Sequence, residues 1–168
     1  MATSQKYIFG MADITWGESP IPVQGDAAVL NITPEFIDIT SYELGGVQDK
    51  ICKSWNITLE VVFEEETAEI FQMALPLTAD SQQNYQDAAL GESLRAKAKE
   101  LVIHPRSAGS SKDFDITIFK AAPSGTLERR YGLEQGKVAV TFTAMLKDGA
   151  EAGSPGNYFK IGAKTAME

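Results

Sequence analysis

A two-residue alternation runs from Lys50 to Phe63. Ile51, Lys53, Trp55, Ile57, Leu59, Val61 and Phe63 fall on one side, and Lys50, Cys52, Ser54, Asn56, Thr58, Glu60 and Val62 on the other. A period of two marks a strand with one wet face. At about 3.4 Å per residue it reaches on the order of 45 Å, more than twice the span of an average strand. In a chain of 168 residues such a strand overhangs any compact core. Its far end therefore needs a partner, and a second copy of the chain is the natural candidate.

The same period recurs elsewhere. Tyr7 to Trp16 alternates moderately. In Ala27 to Thr40, Leu30, Ile32 and Phe36 oppose Val29, Asn31, Thr33, Ile37 and Ile39. Pro34 interrupts that strand, which implies a bulge or a sheet edge because proline cannot donate to a ladder. Lys112 to Lys120 sets Phe114, Ile116 and Ile118 against Asp113, Asp115, Thr117 and Phe119. Lys137 to Lys147 turns Val138, Val140, Phe142, Ala144 and Leu146 inward. Glu92 to Glu100 fits two periods: Ala96, Ala98 and Leu101 suit a helix by propensity, while Arg95, Lys97 and Lys99 alternate with small residues as in a strand; the strand is the preferred reading, entering Leu101 to Ile103 and ending at His104-Pro105. Asn157 to Ile161 adds a short closing strand.

Between these lie turn signals at Gly17 to Pro20, Ser107 to Ser111 and Pro123 to Gly125, and a polar loop from Thr78 to Gly91. Ser41 to Asp49, with Gly45-Gly46, joins two long strands and makes a projecting hairpin tip. The period changes once: Glu64-Glu65-Glu66, then Ala68, Phe71, Ala74 and Leu75 before Pro76, predicts an amphipathic helix with acids in its first turn. The expected fold is mainly β, an antiparallel β-sandwich or barrel with one flanking helix and long hairpin loops. It forms one domain over residues 1–168, with a core at about 7–147 and a loose segment over 148–168.

Hydrophobic residues make up 43% of the chain and charged residues 23%, ordinary values that exclude general disorder. The net charge of −8 argues against a protein that grips phosphates. No apolar run approaches the roughly 20 residues that a membrane helix needs, and the N-terminus lacks the layout of a signal peptide. The protein is expected to stay in the cytoplasm where it is made until assembly or lysis.

Candidate chemistry is sparse. His104 is the only histidine and Cys52 the only cysteine, so neither a histidine metal cluster nor an internal disulfide is available. Asp113 and Asp115 share a strand face, which reads as a solvated face rather than a carboxylate pair. Gly132 and Gly136 lack the strand before them and the Lys-Ser/Thr pair after them that a phosphate loop requires. The basic groups Arg129-Arg130-Tyr131 and Arg95, Lys97 and Lys99 are expected to meet acids of a neighbouring subunit. Trp16 and Trp55 are expected to be core or interface anchors. No catalytic residue, cofactor or metal is expected.

The segment Gly25-Asp26-Ala27-Ala28-Val29-Leu30-Asn31-Ile32-Thr33-Pro34-Glu35-Phe36-Ile37-Asp38-Ile39, with Ile57-Thr58-Leu59-Glu60-Val61-Val62-Phe63-Glu64-Glu65 running into the helix, resembles the major tail tube proteins of long-tailed, siphovirus-type bacteriophages. The resemblance spans about Phe9 to Leu146 and rests on pattern and short phrases. It implies a structural virion protein whose hexameric rings stack into a hollow tail tube through which DNA passes at ejection. Implied partners are other copies, the tail tip or baseplate, the tail terminator and a tape measure protein in the lumen; DNA would be in transit only and no membrane is involved. Lumen-facing candidates on this resemblance are Ser54, Asn56, Thr58, Glu60, Thr141 and Thr143. Ring-to-ring contact falls to Tyr42, Glu43, Leu44, Gly45, Gly46, Val47 and Gln48 at the hairpin tip and to Gln83, Asn84 and Tyr85 in the polar loop. Two rivals stand beside this reading: a hexameric tube protein of a contractile injection or secretion apparatus, and a monomeric β-barrel that binds a small ligand.

Overall fold

A computed structural model describes residues 8–22, 26–82, 84–128, 131–133 and 136–163. The chain runs β1 (Ala12–Trp16), β2 (Ser19–Ile21), β3 (Val29–Ser41), β4 (Gly46–Phe63), α1 (Ala68–Ala74), β5 (Leu77–Ala79), β6 (Tyr85–Asp87), β7 (Lys99–Pro105), β8 (Ile116–Glu128), β9 (Lys137–Ala144) and β10 (Phe159–Ile161). Eight strands form one antiparallel sheet in the order β2-β1-β7-β8-β9-β4-β3, with β10 added on β8; β5 and β6 pair separately. The fold is mainly β with one α-helix, as the alternation predicts.

β8 organises the sheet. Its first half pairs with β7 and β10, and its second half with β9. The strands on either side turn their apolar faces toward one another. Ile14, Trp16, Leu101, Ile103 and Ile118 thus join Ile57, Leu59, Val61, Phe63, Val138, Val140 and Phe142 in one core. The Trp16 and Phe142 rings meet at 5.7 Å, and Trp16 Nε1 donates to the Ala121 carbonyl at 3.0 Å. Full burial stabilises each such aliphatic or aromatic side chain by about 1.5–3 kcal/mol relative to exposure.

Pro123-Ser124-Gly125 is not a turn: β8 runs straight through it. The β7 ladder stops at Ala121, so Pro123 needs no donor on that side. Gly125 serves close approach, since a Cβ there would lie 2.5 Å from the Ala139 carbonyl oxygen and 3.1 Å from that of Ala74 on α1. The helix itself is shorter than its period suggests. It starts where Thr67 Oγ1 accepts from the Ile70 amide, which leaves Glu64 to Glu66 ahead of it and only Glu69 in its first turn.

Other local expectations change for comparably local reasons. Glu92 to Glu100 is not a continuous strand; Ser93 caps a 3-10 turn over Leu94–Lys97, and β7 begins at Lys99. The Thr78 to Gly91 loop contains the β5–β6 pairing, held by Asp80, whose carboxylate accepts from the Gln82 and Asn84 amides. Ser19–Ile21, partly within an expected turn, pairs with β1. Ser107 lies in a 3-10 turn, Arg106–Ala108, and β8 begins at Ile116 rather than Lys112. Phe159–Ile161 brings the C-terminal segment into the main sheet.

Candidate assembly surface on the long hairpin

β3 and β4 form a hairpin paired from Val29↔Glu60 to Ser41↔Gly46. β4 has 18 residues, and only Thr58–Phe63 pair with β9. Gly46–Ile57 therefore presents a second edge with no strand partner among the described residues. At about 3.3 Å per residue, that overhang is on the order of 40 Å. β3 ends the sheet, so its outer edge has no strand partner among the described residues either. Pro34 sits on this edge strand, the place where a missing amide donor costs least.

Two register shifts, at Glu35/Phe36 and Ile39/Thr40, change which side chains share a face. Below the first, Glu35 stands beside Ser54 and accepts its hydroxyl proton at 2.7 Å. Above it, Phe36 opposes Cys52, Ile37 opposes Ile51, and Asp38 opposes Lys50 in an ion pair of 3.2 Å. Phe36, Ile37, Ile39, Val47 and Ile51 are all exposed here. The tip turn carries Tyr42 and Leu44, the former fully and the latter largely in solvent. Exposed apolar groups beside open strand edges form a template for another β-strand.

The lumen candidates gather on one face. Thr58 pairs directly with Thr143, and Glu60 with Thr141. Asn31 and Thr33 on β3 stand opposite Thr58 and Asn56, while Ser124 on β8 stands opposite Thr141. Small hydroxyl and amide groups thus line the side of the sheet turned away from Leu59, Val61, Val140 and Phe142. Asn31, Thr33, Ser124 and Thr126 belong to this face although their individual positions were not flagged by the sequence. Pairing register was the missing signal.

The ring-contact candidates divide. Tyr42, Glu43, Leu44 and Gly45 form the tip turn, whereas Gly46, Val47 and Gln48 belong to β4, so the tip is shorter than 41–49. Asn84 and Tyr85 lie on the separate β5–β6 hairpin. There Asn84 donates from its amide and its side chain to Asp80, and these bonds hold the Asp80 carboxyl below the usual carboxylate range. Gln83 lies outside the described residues, as do Arg129 and Arg130.

Two of the basic residues near 95–99, Arg95 and Lys99, have contacts within the chain. Arg95 and Lys120 both contact Asp148, at 2.8 and 2.6 Å. Lys120 first, then Arg95, keeps the Asp148 carboxyl below its ordinary range. The Lys99 ammonium lies 4.6 Å from the Trp16 ring centroid. Asp115 is not on a solvated face but is buried beside His104; Asp113 is exposed and accepts from Ser111 Oγ. Trp55 meets Phe159 edge-on at 5.2 Å.

Two open clefts flank the sheet. One, of about 760 Å³, lies among Trp16, Pro20, Met73 and Lys99; the other, of about 590 Å³, lies among Cys52, Trp55, Pro155 and Tyr158. Among the described residues, no group of three or more His, Cys, Asp or Glu side chains is placed to hold a metal ion. Among the described residues no helix is long and apolar enough to cross a membrane.

No protein-family model matches the sequence, and no curated protein does. Among solved structures, the chain is similar to the anti-feeding prophage cap, a tube-terminating cap determined by cryo-EM. Identity is 18% and the TM-score 0.46, over 85% of this chain and 94% of that one.

Proposed function

We propose that this chain is a structural subunit, not an enzyme, that polymerises through its long hairpin into a phage-tail-like tube. The supporting observation is the distal half of β3–β4: two open backbone edges flanked by exposed Phe36, Ile37, Ile39, Val47 and Ile51. Pairing of these edges between copies completes the ladder and covers the apolar groups together. The two edges belong to different strands, so the contact is head-to-tail and generates a ring or a helical array.

The finer assignment follows the sequence resemblance to tail tube proteins of long-tailed phages: hexameric rings, stacked, with DNA passing through the bore. In that arrangement the face bearing Ser54, Asn56, Thr58, Glu60, Thr141 and Thr143 lines the channel. Neutral and acidic groups offer DNA phosphates no cation to neutralise them. The tip, Tyr42 to Gly45, meets the next ring. Tail tip, terminator and tape measure proteins are its partners, and its place is the virion tail, after synthesis in the host cytoplasm. A small-ligand barrel is the weaker reading, because among the described residues the sheet ends at β2 and β3, which do not pair with each other.

Negative-stain microscopy and sedimentation of concentrated protein test the proposal. Annuli or tubes with a central hole are expected, and Phe36→Ser/Ile51→Ser should remain monomeric with an unchanged melting temperature. Open-ended tubes identify a tube subunit, whereas single rings that never stack identify a terminator. A wild-type chain that sediments as a monomer at every concentration, also when offered preformed tail tips, overturns it.

A further inference from the structure

His104, at the end of β7, has both ring nitrogens engaged. Nδ1 lies 2.5 Å from Asp115 Oδ1, and Nε2 lies 2.9 Å from the Gly109 carbonyl oxygen. A carbonyl has no proton to give, and an ionised carboxylate only accepts. The ring meets both acceptors only as the imidazolium, donating from each nitrogen. Asp115 is 8% exposed and the His104 side chain 27%, so the pair is partly shielded from water.

Charged groups surround this pair. Asp13 on β1 is the register partner of His104 and accepts from Arg106 Nε at 2.7 Å. Lys112 and exposed Asp113 lie on the loop leading into β8. Asp13, Asp115, Arg106 and a protonated His104 sum to zero charge; a neutral His104 leaves the cluster negative.

The cluster holds more than itself. Gly109, at φ +63°, closes the 3-10 turn Arg106–Ala108. The Arg106 amide donates to the Met11 carbonyl, and Ser107 Oγ accepts from the Phe9 amide. The chain entering β1, with exposed Ile8, Phe9 and Met11, is tied to the same turn.

We propose that Asp13, His104, Arg106 and Asp115 form a proton-controlled latch that holds the 106–111 turn and the Ile8–Met11 segment in place, and that loss of the His104 proton releases them. A neutral ring keeps one N–H. The charge-assisted bond to Asp115 is the stronger of the two, so the Gly109 carbonyl loses its donor and the turn loosens. The Asp115 bond first, and the Gly109 carbonyl next, raise the His104 pKa above the ordinary histidine value, against the opposing effect of burial. A raised value means that the latch stabilises fully below the unfolded value of about 6.5 and fails as pH rises through the folded one. The latch is independent of the hairpin and of the assembly reading.

Because His104 is the only histidine, one set of imidazole proton resonances reports its titration by NMR. The expected midpoint lies above 6.5 in the wild type and drops in Asp115→Asn. Exchange of the Gly109 and Ser111 amides, corrected for intrinsic pH dependence, should rise with the same midpoint and become independent of pH in His104→Gln. If Asp115→Asn does not fold, the wild-type titration and the His104→Gln exchange decide the question. A wild-type midpoint at or below 6.5, or exchange in the turn that ignores the titration, overturns the latch.

Discussion

Leu59 and Ile51 are both branched aliphatic residues on β4 and both pair with β3, but the register shift at Glu35/Phe36 lies between them and turns them to opposite faces of the hairpin. Leu59 is 1% exposed and Ile51 is 51% exposed. Leu59 has β9 on its other flank and a core beneath it, whereas Ile51 has passed the end of β9 and has only the facing Ile37 beside it. Two-residue alternation therefore assigns a face only as far as the next register shift, and it does not state whether that face is covered. A two-stranded ribbon alone is marginal in water. The distal half of the hairpin thus adds little to monomer stability while presenting the most reactive edges, and the proximal half does the reverse.

Leu59→Ala tests that division most severely. It should destabilise the monomer by about 2–5 kcal/mol, against no more than about 0.5 kcal/mol for Ile51→Ala, both read by denaturant unfolding. Comparable losses at the two sites would erase the distinction. Gly125→Ala probes the same packed region through its backbone. The added Cβ meets the Ala139 and Ala74 carbonyls, and overpacking of this kind costs about 1–3 kcal/mol, whereas Gly46→Ala, with open space at the hairpin end, should leave the melting temperature nearly unchanged.

Thr67→Ala removes the side chain that caps α1 over the packed half and should cost about 1 kcal/mol without altering assembly. A change in assembly but not in melting would place the helix with the distal region instead. The smallest effect belongs to Asp148, which is largely exposed to solvent and whose carboxyl is depressed by Lys120 and Arg95. A depressed carboxyl stabilises above its unfolded value and ceases to do so as pH falls through its folded one. Asp148→Asn should therefore narrow the gap between melting temperatures at pH 7 and pH 3, slightly, as exposed ion pairs do.

How much of this was legible varied with range. The long β4, the projecting hairpin, the edge character of β3 at Pro34 and the mainly β class all followed from alternation and turn residues. The passage of β8 through Pro123 to Gly125 did not, because a Pro-Ser-Gly sequence favours a turn locally and only the loss of the β7 partner and the nearness of Ala74 make a strand there suitable. The 3-10 turn at Leu94–Lys97 was missed because small and basic residues fit either period. Asp115 looked solvated because its burial depends on His104, eleven positions earlier, which strand pairing brings alongside.

The sequence by itself determined the class of the elements, the unusual reach of β4, and which residues are polar along it. Those properties are local, set by side-chain period and backbone freedom. Only the tertiary structure decided where β9 stops alongside β4, that Thr141 and Thr143 share a face with Thr58 and Glu60, and that the lone histidine is gripped from both sides. Each depends on register between distant segments, and register is fixed by packing the whole apolar face at once, which no short stretch of sequence contains.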